Sequence, residues 1–330
     1  MAKSNTRVES PLPIDSRCLM QQVLAVHAAH ALQVVDCSKP CTDPVPDETR
    51  LRLQREAIVH IINKISAGRA STCTVVEFGA GEGALSHALW RAGTASKYVV
   101  VDRSRNKLAR MARSAAAEGF PSEQLCIDVA DLLPEALRNV VPTELSIVLA
   151  NHMCGSALDT AIRCAASAWH DDVTATLQQQ QLLEGIVAVT CCHHGCTWAS
   201  YLGRDFFHEV GLSALEFASI LQWSRLAPRR NKKASTRERV MDTAAELGIT
   251  SDQAAELGTR CRQLLDTGRA HYLQQRGFHV VLVHHVDFSL TADNVMLLAS
   301  RQPIELLEAQ AFSQQTSTCA CEGAPQSVQD

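Results

Sequence analysis

The chain has 330 residues, of which 46% are hydrophobic and 20% charged, and a formal net charge of −4. That length is ample for a hydrophobic core, and the composition is that of a globular protein, not a fibrous or low-complexity one. A globally basic nucleic-acid binder is excluded, so any phosphate contact has to come from a local patch.

The N-terminus, M-A-K-S-N-T-R-V-E-S-P, lacks the apolar run of a secretory leader, and no later stretch approaches membrane-spanning length. Thirteen cysteines, an odd number, are therefore read as reduced thiols of a cytoplasmic or nuclear protein that meets no membrane. Residues 1–45 form a mixed, partly helical segment. Val23 to Val35 predicts a helix with Val23, Val26, His27 and His30 on one face, and Pro40, Pro44 and Pro46 break what precedes them. Cys18, His27, His30, Cys37 and Cys41 invite a zinc reading, but the Cys37–Cys41 spacing alone is poor evidence; helix-facing histidines and isolated cysteines account for them better.

From Asp47 to Ala67 the pattern is helical, with Ile58, Ile61, Ile62 and Ile65 at i, i+3, i+4 and i+7. Next comes C-T-V-V-E-F-G-A-G-E-G, Cys73 to Gly83: a β-favouring run, three glycines at alternate positions, then an apolar helical pattern opening at Ala84. Strand, glycine turn and helix bring backbone close to a nucleotide-like ligand, where a Cβ would intrude. Dinucleotide sites prefer G-x-G-x-x-G. Gly79, Gly81 and Gly83 preceded by Glu77 resemble instead the first motif of S-adenosylmethionine-dependent methyltransferases.

A second strand, K-Y-V-V-V-D, ends in Asp102, placed to accept hydrogen bonds from a ribose diol, and a helix follows over Ser104–Ala117. A third strand around Leu125–Ile127 ends in Asp128, where methyltransferases place an acid near the adenine. The fourth, L-S-I-V-L-A-N, runs into Asn151-His152-Met153-Cys154-Gly155, and a helix starts at Ser156. The fifth, G-I-V-A-V-T, runs into Cys191-Cys192-His193-His194-Gly195-Cys196-Thr197-Trp198. In an open parallel sheet these carboxyl ends face the ligand crevice, so Asn151 and His152 belong to the acceptor side.

The Cys/His cluster allows three readings: zinc, cysteine nucleophilic catalysis, or a loop that shapes the acceptor site. Adjacent residues on an extended chain point in opposite directions, so all four of Cys191 to His194 cannot converge on one ion, and no metal is expected. The loop reading is favoured. Farther on, Arg225, Arg229, Arg230, Lys232, Lys233, Arg237 and Arg239 fall within fifteen residues, the densest basic patch and a candidate phosphate contact. Leu257, Cys261, Leu264, Gly268 and Tyr272 mark one face of a long helix. F-H-V-V-L-V-H-H-V and N-V-M-L-L-A then read as a closing hairpin, with His279, His284 and His285 on strand faces. Residues 301–330 are rich in Gln, Ser and Thr and are expected to be disordered.

These motifs together resemble the eukaryotic tRNA 2′-O-methyltransferase family that modifies the ribose of nucleotide 4 in the acceptor stem. The matching segments are L-R-L-Q-R-E-A-I, V-V-E-F-G-A-G-E-G-A-L-S-H, V-V-V-D-R, N-H-M-C-G-S-A-L-D-T-A-I-R-C, C-C-H-H-G-C-T-W-A-S-Y-L-G, C-R-Q-L-L-D-T-G-R-A-H-Y-L-Q-Q-R-G-F and D-N-V-M-L-L-A. The resemblance implies a Rossmann-like class I α/β methyltransferase domain over 46–300, its sheet seven-stranded and mostly parallel with a closing antiparallel hairpin. It implies S-adenosylmethionine as cofactor and tRNA as partner. Family members usually carry small zinc fingers before this domain, and this chain lacks their spacing.

On this reading Glu77, Gly79, Gly81, Gly83, Asp102 and Asp128 hold the cofactor. His152, His193 and His194 are the candidates to accept the proton of the ribose hydroxyl, and Asn151 orients the nucleotide. Cys191, Cys192 and Trp198 shape the substrate site, and Arg229, Arg230, Lys232 and Lys233 meet phosphate. Arg269 stands between a phosphate contact and a structural ion pair. The fourth strand end lacks the Asn/Asp-Pro-Pro-aromatic of amino-group methyltransferases, and the Pro-Cys of C5-methyltransferases is missing too. Methylation of another RNA or a small molecule, or RNA binding by a degenerate fold, are the rival readings.

Overall fold

Val75 and Val76, Val99 to Val101, Ile147 to Leu149 and Ile186 to Ala188 are all almost wholly buried. Continuous apolar runs of this kind belong to parallel strands covered on both faces. The computed structural model describes residues 15–303 except 39–40, 42–44, 67, 142–144, 169–181 and 229–233. Its sheet contains β1 (Val34–Asp36), β2 (Cys73–Phe78), β3 (Lys97–Asp102), β4 (Ser122–Cys126), β5 (Leu145–Asn151), β6 (Leu182–Val189), β7 (His279–His284) and β8 (Val295–Ser300).

The order is β1-β7-β8-β6-β5-β2-β3-β4, with β8 antiparallel to both neighbours and every other pair parallel. The sheet is that of a Rossmann-like class I methyltransferase with one strand more than the seven expected. The extra strand is β1. The predicted helix over Val23–Val35 instead spans Ser16–His30 (α1), capped by the Asp15 carboxylate on the Arg17 and Cys18 amides. Val34 and Val35 then pair in parallel register with Leu282 and Val283 at the sheet edge, where β-branched side chains fit better than in a helix.

Helices cover both faces. On one, α2 (Asp47–Ser66), α3 (Ala84–Arg91) and α4 (Arg105–Glu118) bring Ile58, Ile62, Leu89 and Met111 onto the strands. On the other, α5 (Pro134–Val140) and α6 (Ser156–Ala168) pack Leu137, Leu158 and Ile162. The last turns of α10 (Ser251–Gln274) add Ala270 and Leu273 to that second face. The first half of α10 instead carries Leu257, Cys261 and Leu264 into a separate helical cluster with α1, α7 (Arg204–Glu209), α8 (Ala214–Trp223) and α9 (Ala234–Leu247). At 24 residues, or about 36 Å, α10 is long enough to join the two cores. Among the described residues no helix is long and apolar enough to cross a membrane.

From β2 the chain steps outward through β3 and β4, then returns to the other side of β2 to lay down β5 and β6. That reversal opens a crevice at the carboxyl ends of β2 and β5, and ligands of open α/β sheets bind at such a point.

Candidate active site

The turn after β2 places Gly79, Gly81 and Gly83 at φ of +67°, +62° and +70°, a region that glycine enters without penalty. A Cβ on Gly81 would meet no heavy atom within 4 Å, so the space beside it is open. Glu77 is buried at the end of β2, and its Oε2 accepts from both the amide and the hydroxyl of Ser86 in the first turn of α3. Burial raises its pKa to about 7 despite those bonds, which work the other way. At the end of β3 the Asp102 carboxylate accepts from the Gly81 amide at 2.8 Å and the Ser104 amide at 2.7 Å, one on each oxygen. Asp128, two residues past β4, is half-exposed; it accepts from the Ala130 amide and faces Arg103 at 3.6 Å. The sequence-predicted cofactor residues thus sit at the same end of three neighbouring strands.

A cavity of about 270 Å³ joins this turn to the neighbouring strand end. Its walls include Glu77, Gly79, Ala80, Asn151, His152 and His285. His152 is exposed and is the one non-glycine among the described residues with a left-handed backbone, φ +56°. His285, assigned from sequence to a strand face, follows β7 and forms part of the cavity wall. Its Nδ1–H donates to the Asn294 carbonyl at 2.7 Å, leaving Nε2 as an acceptor, and burial lowers its pKa to about 4. Nothing in the sequence pattern marked it, because the partnership depends on the β7–β8 turn closing.

The loops after β5 and β6 press together backbone to backbone: a Cβ on Gly155 would lie 2.4 Å from the carbonyl of Gly195. The Thr197 amide donates to Ser156 Oγ, and Ser200 Oγ bonds both Ser156 Oγ and Thr197 Oγ1 at 2.7 Å. Cys191 is 4% exposed and Cys192 half-buried, with Cys191 turned toward Cys154. Trp198 packs edge-on against Phe207, His208 and Phe217, so its ring supports the helical cluster. His194 is half-buried on the short 3-10 turn His193–Gly195.

His193 is 3% exposed and does not line the cavity beside the glycine turn. Its Nε2 donates to Asp266 at 2.9 Å, and its buried Nδ1 has no hydrogen-bond partner. Burial lowers its pKa despite the carboxylate. Asp266 continues to Arg269 at 2.7 Å, and Arg269 grips Asp159 with Nε and Nη2 at 3.1 and 3.0 Å. Burial alone would raise the Asp266 pKa, but His193 and Arg269 outweigh it and hold it low. Arg269 is 1% exposed, and its guanidinium N–H groups bond the carboxylates of Asp159 and Asp266, the arrangement of a buried ion pair. Asp159 and Asp266 were missed from sequence because single acids on apolar helices carry no local signal.

A second cavity, of about 400 Å³, lies beyond β6, with Thr190, His193, Arg262, Asp266, Phe288 and Asp293 among its lining residues. Arg229, Arg230, Lys232 and Lys233 lie outside the described residues. Cys18, His27, His30, Cys37 and Cys41 form no metal cluster among the described residues; His27 bonds Gln263 and His30 meets the edge of Phe206.

The sequence profile of the methyltransferase TRM13 family matches residues 53–300, most of the chain. The chain belongs to the TRM13 methyltransferase family. Curated relatives named tRNA:m(4)X modification enzyme TRM13 or its homolog are 26% identical in Homo sapiens, 27% in Mus musculus and 24% in Yarrowia lipolytica. The alignments cover 68%, 74% and 76% of this chain but 59%, 63% and 59% of those relatives, less than two thirds of their length. Among solved structures, the methyltransferase domain of bacterial CtHen1-CN overlaps 75% of this chain and 99% of its own, at 10% identity and a TM-score of 0.39. SAH-bound Podospora anserina methyltransferase PaMTH1 overlaps 89% and 99%, at 12% identity and a TM-score of 0.37.

Proposed function

We propose that the chain transfers a methyl group from S-adenosylmethionine to the ribose 2′-hydroxyl of nucleotide 4 in the tRNA acceptor stem. The observation that carries this reading is the single cavity in which the glycine turn and Glu77 meet Asn151, His152 and His285. The relatives' names, tRNA:m(4)X modification enzymes, support tRNA as the substrate.

The residues present fit the cofactor. Open space lies beside Gly81, and each Asp102 oxygen accepts one backbone amide and keeps lone-pair capacity for a ribose diol. Glu77 uses Oε2 on Ser86, which leaves Oε1 for an ammonium donor. When bound, the cofactor supplies an intrinsically activated methyl group on a sulfonium. The chain's task is then alignment more than activation. His285 Nε2, an unprotonated acceptor at neutral pH, takes the hydrogen bond of the hydroxyl and fixes its lone pair. Asn151 orients the sugar; as the C–O bond forms the hydroxyl proton passes to His285 Nε2, and it leaves through water past His152 at the exposed rim of the same cavity. The basic run Arg229–Lys233 contacts phosphate, so affinity for tRNA falls with salt.

Labelled cofactor and unmodified tRNA, followed by nuclease digestion and nucleoside mass spectrometry, test the proposal. A 2′-O-methyl nucleoside at position 4 is expected. Label on a base, or on no tRNA at all, overturns it.

A further inference from the structure

We propose that Cys154, Cys191 and Cys192 form a binding site for a thiophilic d10 cation such as Zn2+, held between the loops that follow β5 and β6. The three sulfurs all lie within 4.8 Å of one another, and Cys154 Sγ is 3.4 Å from Cys191 Sγ. A disulfide would bring two of them to about 2.05 Å. Tetrahedral thiolates at about 2.3 Å from zinc stand about 3.8 Å apart, the spacing this cluster approaches. Three sulfur donors with no protein oxygen among them select a soft or borderline ion over magnesium or calcium.

The expectation that neighbouring side chains diverge fails here for a local reason. β6 ends at Val189, and Cys192 has φ 7° and ψ 49°, so the chain has left the extended conformation and both thiols swing to one side. The cluster is also assembled by contacts independent of the thiols: the Gly155–Gly195 approach and the Ser156–Thr197–Ser200 hydrogen bonds fix the two loops against each other. Cys191 anchors the buried side, and exposed Cys154 provides the entry path and leaves the fourth ligand position to water. On binding, each thiol gives its proton to solvent and its sulfur lone pair to the ion, with no change of oxidation state. The ion would clamp the loop that carries His152, just past Asn151, to the loop carrying His193 and His194. The proposal stands apart from the methyl-transfer reading, since metal content is read without turnover.

Full-chain protein purified without chelator and loaded with Zn2+ should carry about one ion per chain by elemental mass spectrometry. Its Co2+ form should show thiolate-to-cobalt absorption in the near ultraviolet. Cys154→Ser should weaken Zn2+ binding at least tenfold, while Cys126→Ser, at an exposed thiol outside the cluster, should leave it unchanged. Failure to bind Zn2+, or undiminished binding by Cys154→Ser, overturns the site. So does the loss of two titratable thiols that only a reductant restores, which marks a disulfide. If Cys154→Ser does not fold, the Co2+ spectrum of the unaltered protein decides: thiolate bands uphold the site, and their absence refutes it.

Discussion

At the ends of β2 and β3, the Glu77 and Asp102 carboxylates are held by residues near in sequence or by the backbone of the adjoining turn. Ser86 holds Glu77 from nine positions away, and the amides of Gly81 and Ser104 hold Asp102. At the ends of β5 and β6 the anchors come from distant helices. His193 depends on Asp266, 73 residues on, and Arg269 reaches Asp159 across 110 residues. The first half is a local device whose carboxylates keep spare hydrogen-bonding capacity. The second spends its charges on one another in the interior, so it positions loops and stands or falls with the tertiary fold.

The largest expected effect separates the two halves directly. Arg269→Met removes the one guanidinium that neutralises Asp159 and Asp266, both essentially inaccessible to water. Leaving buried carboxylates unpaired costs about 3–5 kcal/mol. Urea unfolding followed by circular dichroism should show the loss; an unaltered midpoint would mean that the network contributes little and that the two halves do not differ as argued.

His285 gives the next effect. Its folded pKa of about 4 lies below the value of 6.5 for the unperturbed imidazole, so the unfolded chain binds the proton more readily. The contribution is fully present above pH 6.5 and is lost as the pH falls toward 4, amounting to about 3 kcal/mol. Glu77 runs the other way, because its raised pKa makes the folded state lose ground as pH rises from 4.5 toward 7. The two partly cancel in the unaltered protein. The informative quantity is the stability of His285→Gln minus that of the parent, measured from pH 4 to 7.5, which should rise as the pH falls.

Two glycine substitutions sharpen the contrast further. Gly155→Ala adds a Cβ 2.4 Å from the Gly195 carbonyl, at φ +58°, and should destabilise by about 2 kcal/mol or more. Gly81→Ala, at φ +62° but with nothing within 4 Å, carries only the left-handed penalty of about 1 kcal/mol. Gly81→Val should nevertheless abolish cofactor binding in calorimetry by filling the ligand's space. Equal melting losses for the two alanine variants would remove the distinction between a tight loop contact and an open turn.

What the sequence disclosed follows the same divide. The strand, glycine turn and helix around Gly79–Gly83 were legible because that unit satisfies itself within thirty residues. The helix pattern at Ile58–Ile65 and the closing hairpin were legible because periodicity reports burial. The edge strand Val34–Asp36 was hidden inside a helical reading, since a three-residue strand has no period of its own. His285, Asp159 and the convergence of Cys154 with Cys191 and Cys192 were invisible, because each exists only once remote segments meet.

Asp102→Asn should have the smallest effect on the fold and a clear one on the ligand. The side chain is half-exposed, and its two amide partners belong to turns that the sheet holds in any case. One of those amides would face the new NH2 group, a donor against a donor, and stability should fall by no more than about 1 kcal/mol. The bound ribose loses a charged acceptor, a bond worth about 1.5–3 kcal/mol, so cofactor affinity should drop about ten- to a hundredfold by calorimetry. A melting loss as deep as that of Arg269→Met would show that Asp102 belongs to the structural half of the site. An unchanged affinity would show that the ribose is held elsewhere.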